Sequence, residues 1–374
     1  MALLRVLHIL HSMNRGGAEN AIMNYYRHID RTKVQFDFLL TEPSKSQFED
    51  EIVSLGGIVY RVPLLKMFNP FPYFREVSSF FDKHPEYKIV HSHTSSKSFF
   101  PLWIAKCKGI SNRIAHSHNT KSEHGFRGWI RDLLKYGLKR VATHYFACSM
   151  EAAFWLYGST FWKEGKVMLL RNVIECPKFS FDKHVRAVVR NNLNLNEKSL
   201  VVGCVGRFFK QKNLLFAIDV FQEINKHDEN AVFMIVGDGE QRAEIESQIA
   251  EYGLEDKVLL TGVISNVSDM LQAMDVFLMP SFFEGLPLSL IEAQTSGLRC
   301  VVSDGIPKEA DVTGLVTFLP LANGARKWAE MILGQKDYKR KSYMEELKVA
   351  GYDAESSAKE LEQFYLDLSY SNSD

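Results

Sequence analysis

The chain has no excess charge of either sign: 45 Lys and Arg balance 45 Asp and Glu over 374 residues. Such a balance generates no global field toward nucleic acid or an anionic membrane, so nucleic acid is not an expected partner and any basic surface must be local. Paired cysteines are also missing. The five present, Cys107, Cys148, Cys176, Cys204 and Cys300, are scattered, odd in number and free of Cys-x-x-Cys spacing, which predicts a reduced, cytosolic protein. The apolar N-terminal run 3–10 is too short to span a bilayer, is broken by Arg5 and His8, and has no small-residue cleavage site after it, so it reads as a first buried strand. Neither G-x-G-x-x-G nor G-x-x-x-x-G-K-[ST] occurs, although Gly203, Gly206 and Gly237-Asp238-Gly239 approach the former. Their absence argues against nicotinamide enzymes and most nucleotide hydrolases, and leaves phosphate binding to helix ends and basic side chains. No repeat of 20–50 residues and no low-complexity tract appears, which excludes solenoids and disordered arrays.

What remains is an ordinary globular composition, 46% hydrophobic and 24% charged, long enough for two domains. Short runs rich in Val, Ile and Phe alternate with longer amphipathic stretches, the pattern of strand and crossover helix in an α/β protein with parallel sheets. Strands are predicted at 6–10, 36–40, 58–62, 89–93, 113–118 and 144–148, then at 200–205, 232–236, 258–260, 276–279, 300–303 and 316–319. Domains are expected over 1–172 and 199–353. The polar stretch 173–198, with Pro177 and a short helix at 185–192, has the composition of a linker. An amphipathic helix is expected at 354–368. Two doubly wound domains facing each other leave a cleft at the carboxyl ends of their strands, where ligands of such sheets bind.

The motifs fall at those strand ends. Glu284 and Glu292 bracket Gly285-Leu286-Pro287-Leu288, which follows a buried run at 275–280 and should open a helix with Glu292 two turns inside it. The first N–H groups of a helix lack internal partners and, with the positive end of its dipole, attract phosphate. A carboxylate beside phosphate is electrostatically unfavourable, so the two Glu are better read as acceptors for sugar hydroxyls. Together these features describe a nucleotide-sugar site. A basic loop, Gly206-Arg207-Phe208-Phe209-Lys210-Gln211-Lys212-Asn213, follows the strand at 200–205, and Arg207 and Lys212 supply a planar fork and a point charge for a diphosphate leaving group. Near the N-terminus, Gly16 and Gly17 lie between the first strand and a helical run to Tyr26, and paired glycines let backbone approach a ligand.

His-Ser-His occurs twice, at 91–93 and 116–118, each at a strand end. Alternate strand residues share a face, which makes metal ligation conceivable, but no acidic or cysteine ligand accompanies them, so no metal site is expected. His118-Asn119 is read as positioning a donor sugar; His91, His93 and His116 are read as core or as residues that support those touching the donor. The stretch 127–141 places Arg127, Arg131, Lys135 and Lys139 at i,i+4 spacing, a basic amphipathic helix suited either to an anionic membrane or simply to water. Phe99, Phe100 and Trp103 are expected in the core.

With Gly16-Gly17-Ala18-Glu19, His118-Asn119, Gly206-Arg207, Lys212-Asn213, Val236-Gly237-Asp238-Gly239 and Glu284-Gly285-Leu286-Pro287 through Glu292-Ala293, the chain resembles the retaining glycosyltransferases of family four, which have the GT-B fold, and the bacterial surface and capsular polysaccharide enzymes among them. The resemblance covers nearly the whole chain and is most specific in the C-terminal half. It implies metal-independent transfer of a sugar from a UDP- or GDP-sugar, with no cofactor, to a glycan or lipid-linked acceptor. It also implies a cytoplasmic enzyme, either free or peripheral on the inner membrane face, with the final helix crossing back onto the first domain. By that similarity Arg207 and Lys212 hold the diphosphate, Glu292 the ribose and Glu284 the donor sugar. His118 lies beside the transferred sugar, Gly16 and Gly17 near the phosphates, and Val263 meets the base through its backbone. Gly206, Gly285, Leu286 and Leu288 line the donor. No carboxylate nucleophile is evident, so same-face substitution is implied. An epimerase or hydrolase on the same scaffold, and a catalytically idle donor-binding subunit, remain open alternatives.

Overall fold

A computed structural model describes residues 3–14, 16–66, 69–118, 126–336 and 338–370, with the side chains of 126 and 127 outside that description. The chain forms two units, one of residues 1–173 with 354–374 and one of 174–353.

The first unit holds a seven-stranded sheet of β1 (Leu4–Leu10), β2 (Val34–Leu40), β3 (Val59–Arg61), β4 (Ile89–Ser92), β5 (Asn112–Ser117), β6 (His144–Ala147) and β7 (Val167–Leu169). The order is β3-β2-β1-β4-β5-β6-β7, all parallel. The run VQFDFLL of β2 is buried at every position because helices cover both sheet faces. Asp37 is its exception in chemistry, not in burial. It accepts from Arg5 Nε and Nη2, each at 2.6 Å, from Tyr87 Oη at 2.8 Å and from Ile58 N at 2.7 Å, so a buried charge is fully compensated. The helix Ala354–Tyr370 belongs to this unit and buries Ala358, Leu361 and Tyr365 in the core formed around β1 and β2.

The second unit carries β8 (Val201–Val205), β9 (Val232–Val236), β10 (Val258–Gly262), β11 (Val276–Met279), β12 (Arg299–Ser303) and β13 (Val316–Leu319). They run parallel in the order β10-β9-β8-β11-β12-β13. In each sheet the strand order reverses once, between β1 and β4 and between β8 and β11, and these are the points where the loops at the carboxyl ends diverge to make room for a ligand.

The stretch read as a linker is not one. Residues 174–198 pack into the second unit, with helices at Cys176–Phe179 and Lys183–Asn192. The polar composition misled because its arginines work inside. Arg186 Nη2 and Arg190 Nη1 reach Asp275 at 2.6 and 3.2 Å, and Arg190 also donates to the carbonyls of Ala273, Asn196 and Ser199. Asp275 in turn accepts from Val201 N, fixing the starts of β8 and β11 together. Strand β7 was missed for another reason: three residues at a sheet edge carry no periodicity to read.

Candidate functional site

At the switch point of the second unit, two loops are tied to each other. Lys212 Nζ lies 2.8 Å from Glu284 Oε1, the two side chains being 21% and 10% exposed. Gln211 Nε2 donates to Phe283 O at 2.9 Å and to Glu284 Oε2 at 3.3 Å, while Phe282 N donates to Gln211 O at 2.9 Å. Asn213, in the left-handed conformation at φ 54°, ends the basic loop and sends Nδ2 to Pro280 O. The loop after β8 is therefore pinned onto the carboxyl end of β11. Behind it Gly237 is obligatory: at φ 137° a Cβ there would stand 2.0 Å from Gly206 O.

Arg207 projects outward, its guanidinium carbon 4.7 Å from the Phe209 ring centre, so an exposed cation is held in one direction by stacking. The helix following Glu284 spans Leu288–Thr295, starts at Pro287 and has no side-chain cap, so its first turn offers N–H groups to an anion. Gly285 and Leu286 lie just before that start. Because the helix begins later than its sequence suggested, Glu292 sits little more than one turn inside, not two. Burial raises the Glu292 carboxyl to about 7, only partly opposed by the charge of Lys178. Val263, just past Gly262 at the end of β10, is 73% exposed, leaving its backbone accessible. The structure thus brings Arg207, Lys212, Glu284, Gly206, Gly285, Leu286 and Leu288 to one switch point, with Glu292 close behind in the helix.

The first unit presents a second constellation at the carboxyl ends of β1, β4 and β5. Gly16 caps the helix Gly17–His28; a Cβ on it would fall 2.3 Å from Glu19 Oε2, so the Gly16 requirement is partly internal. Gly17 has nothing within 4 Å of such a Cβ, and the space beside it is open. His118 Nε2 is 2.9 Å from His93 Nδ1, and His93 Nε2 is 3.0 Å from His8 Nδ1. Burial lowers His118 to about 4 and His8 to about 3, and depresses His91, His93 and His116 as well. All five imidazoles are neutral at physiological pH. His93 was read as core or as a residue supporting those at the donor, and its contact with His118 fits the second, though the pairing itself joins two strands and is invisible in sequence. Asn119 lies outside the described residues.

The basic helix forms, at Phe126–Val141, but its outward face differs from expectation. Lys135 Nζ stands 4.3 Å and Arg131 Cζ 5.6 Å from the Trp155 ring centre, and Lys139 Nζ 4.9 Å from that of Phe161. These cations lie over aromatics of the helix Met150–Lys163. Exposed instead are Trp129 at 64%, Leu133 at 56% and Tyr136 at 58%, with Trp103, expected in the core, also 43% exposed. The Arg127 side chain lies outside the described residues. No helix among the described residues is long and apolar enough to cross a membrane.

A pinned basic loop, an uncapped helix start and a partly buried carboxylate meet at a parallel-sheet switch point, an arrangement suited to a polyanion. Residues 185–314 match the family Glycosyl transferases group 1, and residues 16–172 the Glycosyl transferase 4-like domain. EpsF of Bacillus subtilis (strain 168), a protein named as a glycosyltransferase, is 34% identical over 369 residues, 96% of each chain. The capsular polysaccharide biosynthesis glycosyltransferase CapH of Staphylococcus aureus is 26% identical, covering 97% of this chain and 99% of CapH. Among solved structures, Anabaena Alr3699/HepE in complex with UDP and glucose superimposes with a TM-score of 0.76 at 16% identity, over 97% of this chain and 100% of that one. The chain belongs to glycosyltransferase family four, and its two Rossmann-like units are those of the GT-B fold.

Proposed function

We propose that this chain transfers a hexose from a UDP- or GDP-sugar to a glycan or lipid-linked acceptor, with retention at the anomeric carbon and without a metal ion, in the assembly of a bacterial surface polysaccharide. The observation that carries the reading is the Lys212–Glu284 pair at the switch point, beside Arg207 and the open start of the helix Leu288–Thr295. Lys212 and Arg207 are suited to the diphosphate, one as a point charge and one as a fork. Glu284, already anchored by Lys212 and Gln211, has oxygens to accept donor-sugar hydroxyls. Glu292 takes the ribose hydroxyls, Val263 meets the base through its backbone, and Gly206, Gly285, Leu286 and Leu288 line the donor. The roles of Gly16, Gly17 and His118 follow the family pattern: backbone near the phosphates, and an imidazole beside the transferred sugar. HepE bound to UDP and glucose, and the capsular assignment of CapH, favour a uridine donor and a surface glycan.

In this scheme the C–O bond to the leaving phosphate breaks as the acceptor oxygen bonds to the same face of the anomeric carbon. The departing phosphate oxygen takes the acceptor proton, so positioning and charge stabilisation are the protein's contribution. Access to a lipid-linked acceptor is supported by the exposed Trp129, Leu133 and Tyr136 face, which is suited to the inner surface of the cell membrane. Nuclear magnetic resonance of the product tests the stereochemistry. An α-linkage made from an α-linked donor, in chelator-treated protein, fits the reading; a β-linkage, or a strict need for added divalent metal, sinks it.

A further inference from the structure

The densest set of unsatisfied polar atoms in the described residues lies in the first unit. One pocket is lined by His8, His91, His93, His116, His118 and Asn172. In it His8 Nε2, His91 Nε2, His118 Nδ1 and both nitrogens of His116 are buried without a well-formed hydrogen bond among the described residues, although the Leu170 backbone approaches His116 and the Asn172 side chain approaches His118. A neutral imidazole carries one donor and one acceptor, and leaving either buried and unpaired costs about 1–3 kcal/mol. A partner shared by the His116 and His118 rings would satisfy one nitrogen of each.

We propose that His93, His116 and His118 bind a divalent transition-metal ion of the zinc class. Their ligand atoms lie within 4.8 Å of one another. Zinc–imidazole bonds of about 2.0–2.1 Å place tetrahedral ligand atoms about 3.3 Å apart, so rotations that close the widest separation by about 1.5 Å complete the site. His93 and His118 already approach to 2.9 Å. The group sits at the ends of β4 and β5, where backbone pairing holds all three residues in register: His91 with Ile114 and Ser92 with Ala115 fix the strands from which they project. Three imidazoles suit zinc, copper, cobalt or nickel and not magnesium or calcium. His93 and His118 are half-buried, and the ion's fourth ligand would be water or an anion. His8 and His91 form a neighbouring three-histidine group with His93. His116 and His118 belong only to the first group, and His116, with no well-formed hydrogen bond at either nitrogen, decides between the two.

One consequence rests on the proposed function: an ion on His118 withdraws that ring from the donor sugar, so occupancy inhibits transfer reversibly. Binding itself stands apart from that reading. The test titrates chelator-treated, full-length protein with Co²⁺ alone, following visible absorption and the bound ion by equilibrium dialysis. A single saturable ion per chain with the intense bands of low-coordinate cobalt, displaced by Zn²⁺, is expected. In His116→Gln its affinity should fall by more than the roughly tenfold to hundredfold that loss of an outer partner costs, while His28→Gln, on the helix Gly17–His28, keeps it. Absence of saturable binding, equal binding by His116→Gln, or loss in His91→Gln alone overturns the assignment. X-ray absorption of the wild-type zinc form needs no variant to fold, and fewer than three imidazole ligands there overturns it as well.

Discussion

Lys212 Nζ and Glu284 Oε1 meet at 2.8 Å, joining the loop that leaves β8 to the loop that leaves β11. The pair makes a cation and a carboxylate available side by side, one suited to phosphate and the other to sugar hydroxyls. Removing Lys212 leaves Glu284 largely buried without its charge partner, so Lys212→Ala should impair both turnover and donor affinity. Restoring only length, as in Lys212→Met, should not rescue either. Steady-state kinetics with a matched donor checks this, and an unchanged donor KM in both variants would contradict it.

Arg207 differs because its side chain is exposed, with its guanidinium over the Phe209 ring. Arg207→Ala should lower turnover by about two to three powers of ten, the loss typical of one charge-stabilising donor. The thermal midpoint should stay that of the wild type, since an exposed side chain is removed. A near-normal rate removes Arg207 from the site.

Glu292 gives a pH signature. Its folded-state value, raised to about 7 by burial, lies above the ordinary 4.5. Protonation therefore favours the folded chain: the contribution is fully present below about 4.5 and is lost as pH rises through about 7. Melting curves should show Glu292→Gln gaining on the wild type as pH climbs across that window. Donor affinity should move the opposite way in the wild type, weakening below about pH 7, because the protonated carboxyl loses acceptor capacity for ribose hydroxyls. A difference in melting that does not vary with pH would refute the first expectation, and a flat donor affinity in calorimetric titrations the second.

Asp37 is a purely structural test. It is itself fully buried and anchors Tyr87, Ile58 N and Arg5, whose side chain is 24% exposed. Asp37→Ala should cost about 3–5 kcal/mol, as removal of one member of a buried ion pair does. Urea unfolding of the first unit measures it, and a loss below about 1 kcal/mol would mean the charge is not compensated as described.

The helix Phe126–Val141 makes an interfacial prediction opposite in emphasis to its composition. Trp129→Ser with Leu133→Ser should abolish flotation with anionic lipid vesicles, whereas salt should weaken the wild type only modestly. Retained flotation in that double variant would rule out this face.

The alternation of strand and helix was legible because parallel strands buried on both faces read as unbroken apolar runs, as β9 and β11 do. The loops after β8 and β11 were legible as strand-end loops rich in glycine and basic residues, and the Lys212–Glu284 contact ties them together. Three things were hidden. Arg190 reads as a surface residue until Asp275 is placed against it, so the segment around it passed for a linker. The cations of the basic helix look solvated until Trp155 and Phe161 come under them. The link of His8, His93 and His118 joins residues 85 and 25 positions apart, which no local spacing reveals.

The most direct measurement incubates the purified chain with a panel of UDP- and GDP-sugars, with and without membrane lipid extract, and follows released nucleoside diphosphate beside Arg207→Ala and Glu292→Ala. The account predicts release from one donor, dependent on extract and lost in both variants. Tight donor binding with no release under any acceptor, or release that persists in both variants, would contradict it.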